Sequence, residues 1–443
     1  MNTIRLACLL GRPGASGRAA IVLPVVAFGV TTALLLTVLA GALAFFTWTG
    51  GAAASYQVLA VIALALLIVP LLALGGSAAR LAARRRDDRL AILRLLGASA
   101  AMVARLTVLE STVLAVVGAV AGAAGYALLV PLVGLIPFRG APLGVASLWL
   151  PVPVVGATVL AVAMIAAASA AIGLRAVVIS PLGVRTRQSA PRLRRLRVVI
   201  GAAVIAIAFV VLNLTQLFGG LGTIAFVLAV AFGGALAVLN VIGPFVIGVF
   251  ARRQVRRART AQRLLAARGI LESPKAAWRQ IGGVAMTSFV AVFAGTGVAV
   301  AAAAGSGDRQ SVELAADIRT GVVITVAVSF LMVACSVGVN QASAILDRRS
   351  LYVSLDRLGM PIGMMDAARR RAVLSPLRIV TVGSSLVAAV LIFPLVGLSL
   401  IVAPLSLVTI AGCLAAGILL VWLGLVATRP VLTTALGTLP DAV

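Results

Sequence analysis

The chain has 443 residues, 62% of them hydrophobic, with a mean hydropathy of +1.18, which is far more apolar than a soluble globular protein. Its 37 basic and 11 acidic residues leave a formal charge of +26; such an excess can mark nucleic-acid binding, but the positions of the arginines give it another origin. There is no histidine, which removes imidazole acid–base chemistry and histidine metal ligation from consideration.

Ten apolar stretches are long enough to cross a bilayer, each crossing needing roughly 20 helical residues. In chain order they are approximately 20–45, 57–79, 106–136, 149–173, 198–217, 221–250, 281–304, 320–345, 374–397 and 399–427. The turns near 217/221 and 397/399 are very short, so a count one lower or higher also fits. The first stretch exceeds a signal-peptide core and reads as an uncleaved first helix. With the N-terminus inside, the inner segments hold Arg5, Arg12 and Arg18, the runs 80–105, 175–197, 252–279 and 348–378, and Arg429. Of the 37 basic residues, only Arg139, Arg309 and Arg319 then lie outside, together with Asp308, Glu313 and Asp317. The outer face is near neutral and the inner face carries the whole excess, as the positive-inside rule requires. These charges orient the chain and contact membrane lipid. That leaves no charge for a nucleic-acid interface to explain.

Cys8, Cys335 and Cys413 are far apart and form no metal-ligand spacing. The single lysine, Lys275, follows Pro274. A phosphate-cradling Walker A loop needs Gly-Lys-Ser/Thr, so this type of ATP site is absent from the sequence. Within the apolar stretches, Glu110 is the ionisable residue to watch, either as a functional group or as a partner for Arg105 near the inner interface. Asn240, Asn340 and Gln341 are suited to interhelical hydrogen bonds, and Gly118-x-x-x-Gly122 permits close helix contact. No stretch shows the paired charges expected of an ion-coupled relay.

Three local matches recur at one spacing. Pro13 and Arg18 correspond to Pro274 and Arg279. Leu93-Arg94-Leu95-Leu96-Gly97 corresponds to Leu355-Asp356-Arg357-Leu358-Gly359. Pro131-Leu132-Val133-Gly134 corresponds to Pro394-Leu395-Val396-Gly397. The offsets drift from 261 to 263 in chain order, which indicates a tandem duplication. The expected fold is an all-α integral membrane protein: a four-helix unit at 1–180, a two-helix linker at 181–254 and a second four-helix unit at 255–443. Six helices separate the starts of the two units. That even number gives both copies one orientation, about a pseudo-two-fold axis along the membrane normal.

The inner loop after the second helix of each copy is the richest in signal. In copy one Leu90, Leu93 and Leu96 recur at helical spacing among Arg86, Asp87, Arg89 and Arg94, with Gly97 placed to end the helix. In copy two Leu351, Leu355 and Leu358 repeat the stripe, closed by Gly359 and Pro361. Such a helix either lies in the lipid interface or offers its stripe to a groove on a soluble partner.

Arg84-Arg85-Arg86-Asp87-Asp88 followed by Leu93-x-x-Leu96-Gly97-Ala98-Ser99 resembles the FtsX-like permeases of ABC transporters. Glu110 matches a Glu common near the start of that family's third helix, and Ser180-Pro181-Leu182-Gly183-Val184-Arg185 is similar to its Pro-Leu-x-x-Arg ending. The resemblance implies a permease with no ATPase site or cofactor of its own, paired with a separate ATP-binding subunit, two copies per chain. It implies that 87–100 and 349–362 are coupling helices, with Asp87, Leu90, Leu93, Leu96, Gly97, Leu351, Leu355, Leu358 and Gly359 as docking residues. It implies a bacterial cell membrane location with both termini cytoplasmic. Copy two departs from the pattern, with Ala372 where the Glu would align. The outer positions where many relatives carry a folded domain hold only Thr47–Tyr56 and Gly305–Arg319. These short loops favour export or release of an amphiphilic substrate taken from the bilayer, such as a lipid, a peptide or a hydrophobic drug. The alternatives are a signalling module that works with a sensor kinase, and a stand-alone secondary carrier.

Overall fold

The computed structural model describes residues 18–50, 53–61, 63–64, 67, 99–178, 203, 221–304, 309–393, 396–397, 404–430 and 432–433. Its main elements are long helices and one two-residue hairpin. In chain order they are α1 (Arg18–Phe46), α2 (Ala100–Gly134), β1 (Pro137–Phe138), β2 (Ala141–Pro142), α3 (Val145–Leu148) and α4 (Val152–Val178). Next come α5 (Leu221–Arg256), α6 (Ala261–Glu272), α7 (Pro274–Ala304), α8 (Arg309–Asp347), α9 (Arg349–Arg357), α10 (Ile362–Leu391) and α11 (Pro404–Val426). Among the described residues, 7 helices are long and apolar enough to cross a membrane: parts of α1, α2, α4, α5, α8, α10 and α11. The chain is an all-α, multi-pass membrane protein. The expected span 57–79 falls largely, and 198–217 almost wholly, outside the described residues.

Backbone polarity explains the choice of helix. In hydrocarbon each N–H and C=O must be satisfied within the segment. Several side-chain hydroxyls are satisfied in the same way. Thr31 Oγ1 donates to the Ala27 carbonyl at 2.7 Å, Thr37 to Ala33 at 2.8 Å and Thr158 to Val154 at 2.9 Å. Each donates to the carbonyl one turn back, so it needs no other partner in the apolar layer.

Two compact units form. The first holds Met1–Arg187, Met332–Leu358 and Gly424–Val443, the second Gln188–Leu331 and Gly359–Leu423. In the first, α1 packs on α2 through glycines. A Cβ on Gly118 would sit 2.7 Å from both the Val25 carbonyl oxygen and Phe28 Cβ, and one on Gly122 would meet Thr32 Cβ at 2.8 Å and collide with the Gly29 carbonyl. The Gly-x-x-x-Gly spacing therefore does what the sequence suggests, bringing backbones together where lipid offers no hydrophobic drive.

The far end of α2 is tied by Tyr126. Its hydroxyl donates to the Leu148 carbonyl and accepts from Leu150 N–H at 3.0 Å. The ring joins Leu36, Ala40, Val130, Leu148 and Leu150 in a buried cluster. Beyond it lies the hairpin, turned by Arg139 and Gly140 at φ 53° and 74°, the left-handed pair a two-residue turn demands. Phe45, Trp48, Tyr56 and Phe138 gather there edge to face, and the Arg139 guanidinium lies 5.2 Å from the Trp48 ring and 5.8 Å from Tyr56. An aromatic cluster with a cation at a helix end suits a membrane–water boundary.

The second unit is built on α5, α7 and α10. Phe232, Phe289 and Phe293 interlock at 5.1–6.0 Å beside Ala235, Val292, Ala388 and Leu391. Trp278 Nε1 donates to Asn240 Oδ1 at 2.8 Å, joining α7 to α5. Asn240 thus has the interhelical role its sequence position suggests.

Two boundaries differ from the sequence expectation. Gly305–Arg319 is not all loop, because α8 begins at Arg309. The charged start of α8 lowers local hydropathy without interrupting its backbone hydrogen bonds. Likewise α10 begins at Ile362 rather than near 374, and its arginines hid its first turns from a hydropathy reading.

Gly122→Val is expected to cost about 1–3 kcal/mol through overpacking, read as a lower thermal midpoint of the purified chain. Gly156→Ala, with nothing within 4 Å of the new Cβ, is expected to leave the midpoint unchanged.

Candidate functional site

Short charged helices between long apolar ones are where a membrane protein can meet a soluble partner. One such helix is α9. It succeeds α8 after Arg348, and Leu351, Leu355 and Leu358 fall on one face by their i, i+4, i+7 spacing. Leu351 is 51% exposed and Leu358 82% exposed, while Leu355 is half-buried. Ser354 Oγ donates to the Ser350 carbonyl at 2.9 Å, keeping the polar side on its own backbone. Leu358 N–H donates to the Ser354 carbonyl at 3.1 Å. Gly359 then turns the chain at φ 79°, a conformation that costs glycine little. Pro361 precedes the first turn of α10.

The other expected docking residues, Asp87, Leu90, Leu93, Leu96 and Gly97, lie outside the described residues. Two positions further on, Ser99 caps α2, its Oγ accepting from Met102 N–H at 3.3 Å, so the Leu-Gly-Ala-Ser motif ends in a helix start. Glu110 is exposed on α2, at the beginning of the apolar stretch Val108–Gly134.

One polar group escapes the sequence reading. Asp366 in α10 is 2% exposed; its Oδ1 accepts from Arg369 Nη2 at 2.8 Å and its Oδ2 from Arg370 Nη2 at 3.1 Å. Arg369 is itself only 7% exposed. This charge group lies at the start of α10, ahead of the apolar stretch 374–397 in which the sequence shows no paired-charge relay. The apolar stretch taken from the sequence started after it. The readable signal was the i, i+3 and i, i+4 spacing of Asp366, Arg369 and Arg370 on a helix. All three residues lie on one helix, so the pair constitutes an anchor for that helix end rather than a relay between helices.

Removing one partner of a buried pair strands the other charge, at about 3–5 kcal/mol. Asp366→Ala is thus expected to lower the thermal midpoint sharply, and Asp366→Ala with Arg369→Leu to recover most of the loss.

Residues 76–179 match the family model described as FtsX-like permease C-terminal. The matched segment contains the stretch 87–100 expected to dock a partner, Glu110 and helices α2 to α4, and it ends immediately before Ser180-Pro181-Leu182. No curated protein matches the chain.

Proposed function

Residues 76–179 match the family model described as FtsX-like permease C-terminal, and from that match we propose that this chain is a membrane permease component of an ABC-type transport system, coupling ATP hydrolysis by a separate subunit to movement of an amphiphilic substrate. Two ATP-binding subunits dock on the chain, one at 87–100 and one at 349–362. Their closure on ATP rocks the two four-helix units about the pseudo-two-fold axis, and the substrate is exported or released laterally. Chain termini, coupling helices and arginine clusters share the cytoplasmic side of a bacterial cell membrane.

The observation that carries this reading is α9. It is a nine-residue helix set in sequence between two helices long and apolar enough to cross a membrane, with Leu351 and Leu358 exposed. It occupies the same place in the proposed repeat as the family-matched docking stretch. The helix starts support the duplication. Ala100 of α2 and Ile362 of α10 stand 262 residues apart, the offset of the Leu-Gly match. Short connections on the other side, such as the two-residue-turn hairpin at Arg139 and Gly140, favour a substrate drawn from the bilayer over one gripped by an outer domain.

Affinity purification of the tagged full chain from its native membrane in mild detergent, with mass spectrometry of what accompanies it, checks the reading. The expected result is a stoichiometric Walker-type ATPase. Its recovery falls at least about tenfold when Leu93 and Leu96, or Leu351 and Leu358, become Asp, since a buried carboxylate is costly at an apolar contact. An unchanged recovery in the second pair limits coupling to copy one, and no ATPase in any of several detergents contradicts the reading.

A further inference from the structure

Within the second unit, a cavity of about 570 Å³ opens among α5, α6, α10 and α11. Six arginines line it: Arg253 near the end of α5, Arg257 just beyond it, Arg263 on α6, and Arg370, Arg371 and Arg378 on α10. Among the described residues, no carboxylate lines it. Of the six, Arg370 is paired with Asp366, at 3.1 Å. Guanidinium groups converging on one concavity repel each other unless an anion sits between them.

Two contacts brace the helices that wall the cavity. Ser375 Oγ donates to Gln254 Oε1 at 3.4 Å, linking α10 to α5 at the cavity wall. Asp366 fixes the first turns of α10 through Arg369 at 2.8 Å. Arg371 and Arg378 stand seven residues apart on α10, two turns along one face.

The apolar part of the lining defines the ligand further. Phe250, Leu374 and Trp422 share the cavity with the arginines, and Phe250 and Trp422 are 38% and 39% exposed. Beyond Arg378, α10 carries no further charge to its end at Leu391. The cavity therefore lies where that helix passes from charged to apolar sequence, the level of headgroups in a bilayer. Arginine forks match phosphoryl oxygens two at a time.

We propose that this cavity is a binding site for a phosphoryl anion, with the aromatic side suited to one carried on an anionic phospholipid. It goes beyond the reading of the chain as an ATPase-coupled permease and does not depend on it, because the ligand is held at the membrane boundary whether or not an ATPase docks.

The test uses the purified full chain in detergent, with native mass spectrometry of bound lipid across a titration of phosphatidylglycerol. Phosphatidylcholine serves as the zwitterionic comparison. Phosphatidylglycerol is expected to bind at least about tenfold more tightly than phosphatidylcholine. Arg371→Ala with Arg378→Ala is expected to weaken it by about tenfold or more, while Arg256→Ala with Arg268→Ala, which removes equal charge outside the cavity, weakens it by less than about twofold. Should the alanine pair fail to fold, Arg371→Lys with Arg378→Lys keeps the charge, loses the fork, and is expected to weaken binding at least about threefold. Inorganic phosphate added as competitor separates the sources. Displacement of the lipid by about 10 mM phosphate identifies the free anion as a ligand, and retention of the lipid identifies the headgroup. Equal effects of the two alanine pairs, or equal binding of the two lipids, would overturn the proposal and reduce the arginines to surface charge.

Discussion

Hydrocarbon solvates neither a peptide group nor a charge, and the architecture derives from that constraint. Backbone groups are satisfied inside long helices, and threonine hydroxyls donate to carbonyls one turn back, as at Thr31 and Thr37. With no hydrophobic effect to press helices together in lipid, contact comes from shape. Gly118 and Gly122 bring α2 against α1 closely enough that a single methyl would clash. In the second unit the corresponding work falls to Phe232 of α5, inclined against Phe289 and Phe293 of α7, and to the Trp278–Asn240 hydrogen bond. The same constraint forces the charge to helix ends. There it creates α9, the Asp366 anchor and the arginine cavity.

Charge at helix ends also makes function possible. A soluble ATPase can act only on what protrudes from the bilayer. α9 is short, turned by Gly359, and exposes Leu351 and Leu358, which suits it to that role in the proposed function. Exposed leucines among charges have low value for the isolated chain and high value for a partner groove. The Asp366–Arg369 pair is buried in the first turns of α10, shortly after Pro361.

Much of this was legible in the sequence, for physical reasons. Membrane-crossing helices announce themselves by length and composition, so α1, α2, α4, α5, α8, α10 and α11 appear near the expected places. The leucine stripe of α9 and its terminal glycine are local features and were readable as such. What failed was the assumption that charge ends a helix. Arg309–Arg319 continues α8, and Asp366 to Arg371 opens α10, because a helix at the interface keeps its backbone bonds while its side chains meet water or each other. The arginine cavity was illegible for a different reason. Arg253, Arg263 and Arg378 are scattered over 126 positions of the chain, and only the fold brings them to one wall. The family resemblance, carried by the stretch from Arg84 to Ser99, coincides with the matched segment 76–179.

Sidedness underlies the whole account, since α9 can meet a cytoplasmic ATPase only if it faces the cytoplasm and the Arg139 hairpin does not. The direct measurement is cysteine labelling with a membrane-impermeant maleimide, in a chain whose Cys8, Cys335 and Cys413 are replaced by Ala. A single cysteine is placed at Leu358, which is 82% exposed, or at Ala141, exposed on β2. Leu358→Cys should react only in inverted vesicles and Ala141→Cys only in right-side-out vesicles. Labelling of both from one side, or of Leu358→Cys from outside, would contradict the topology and with it the assignment of α9 as the docking helix.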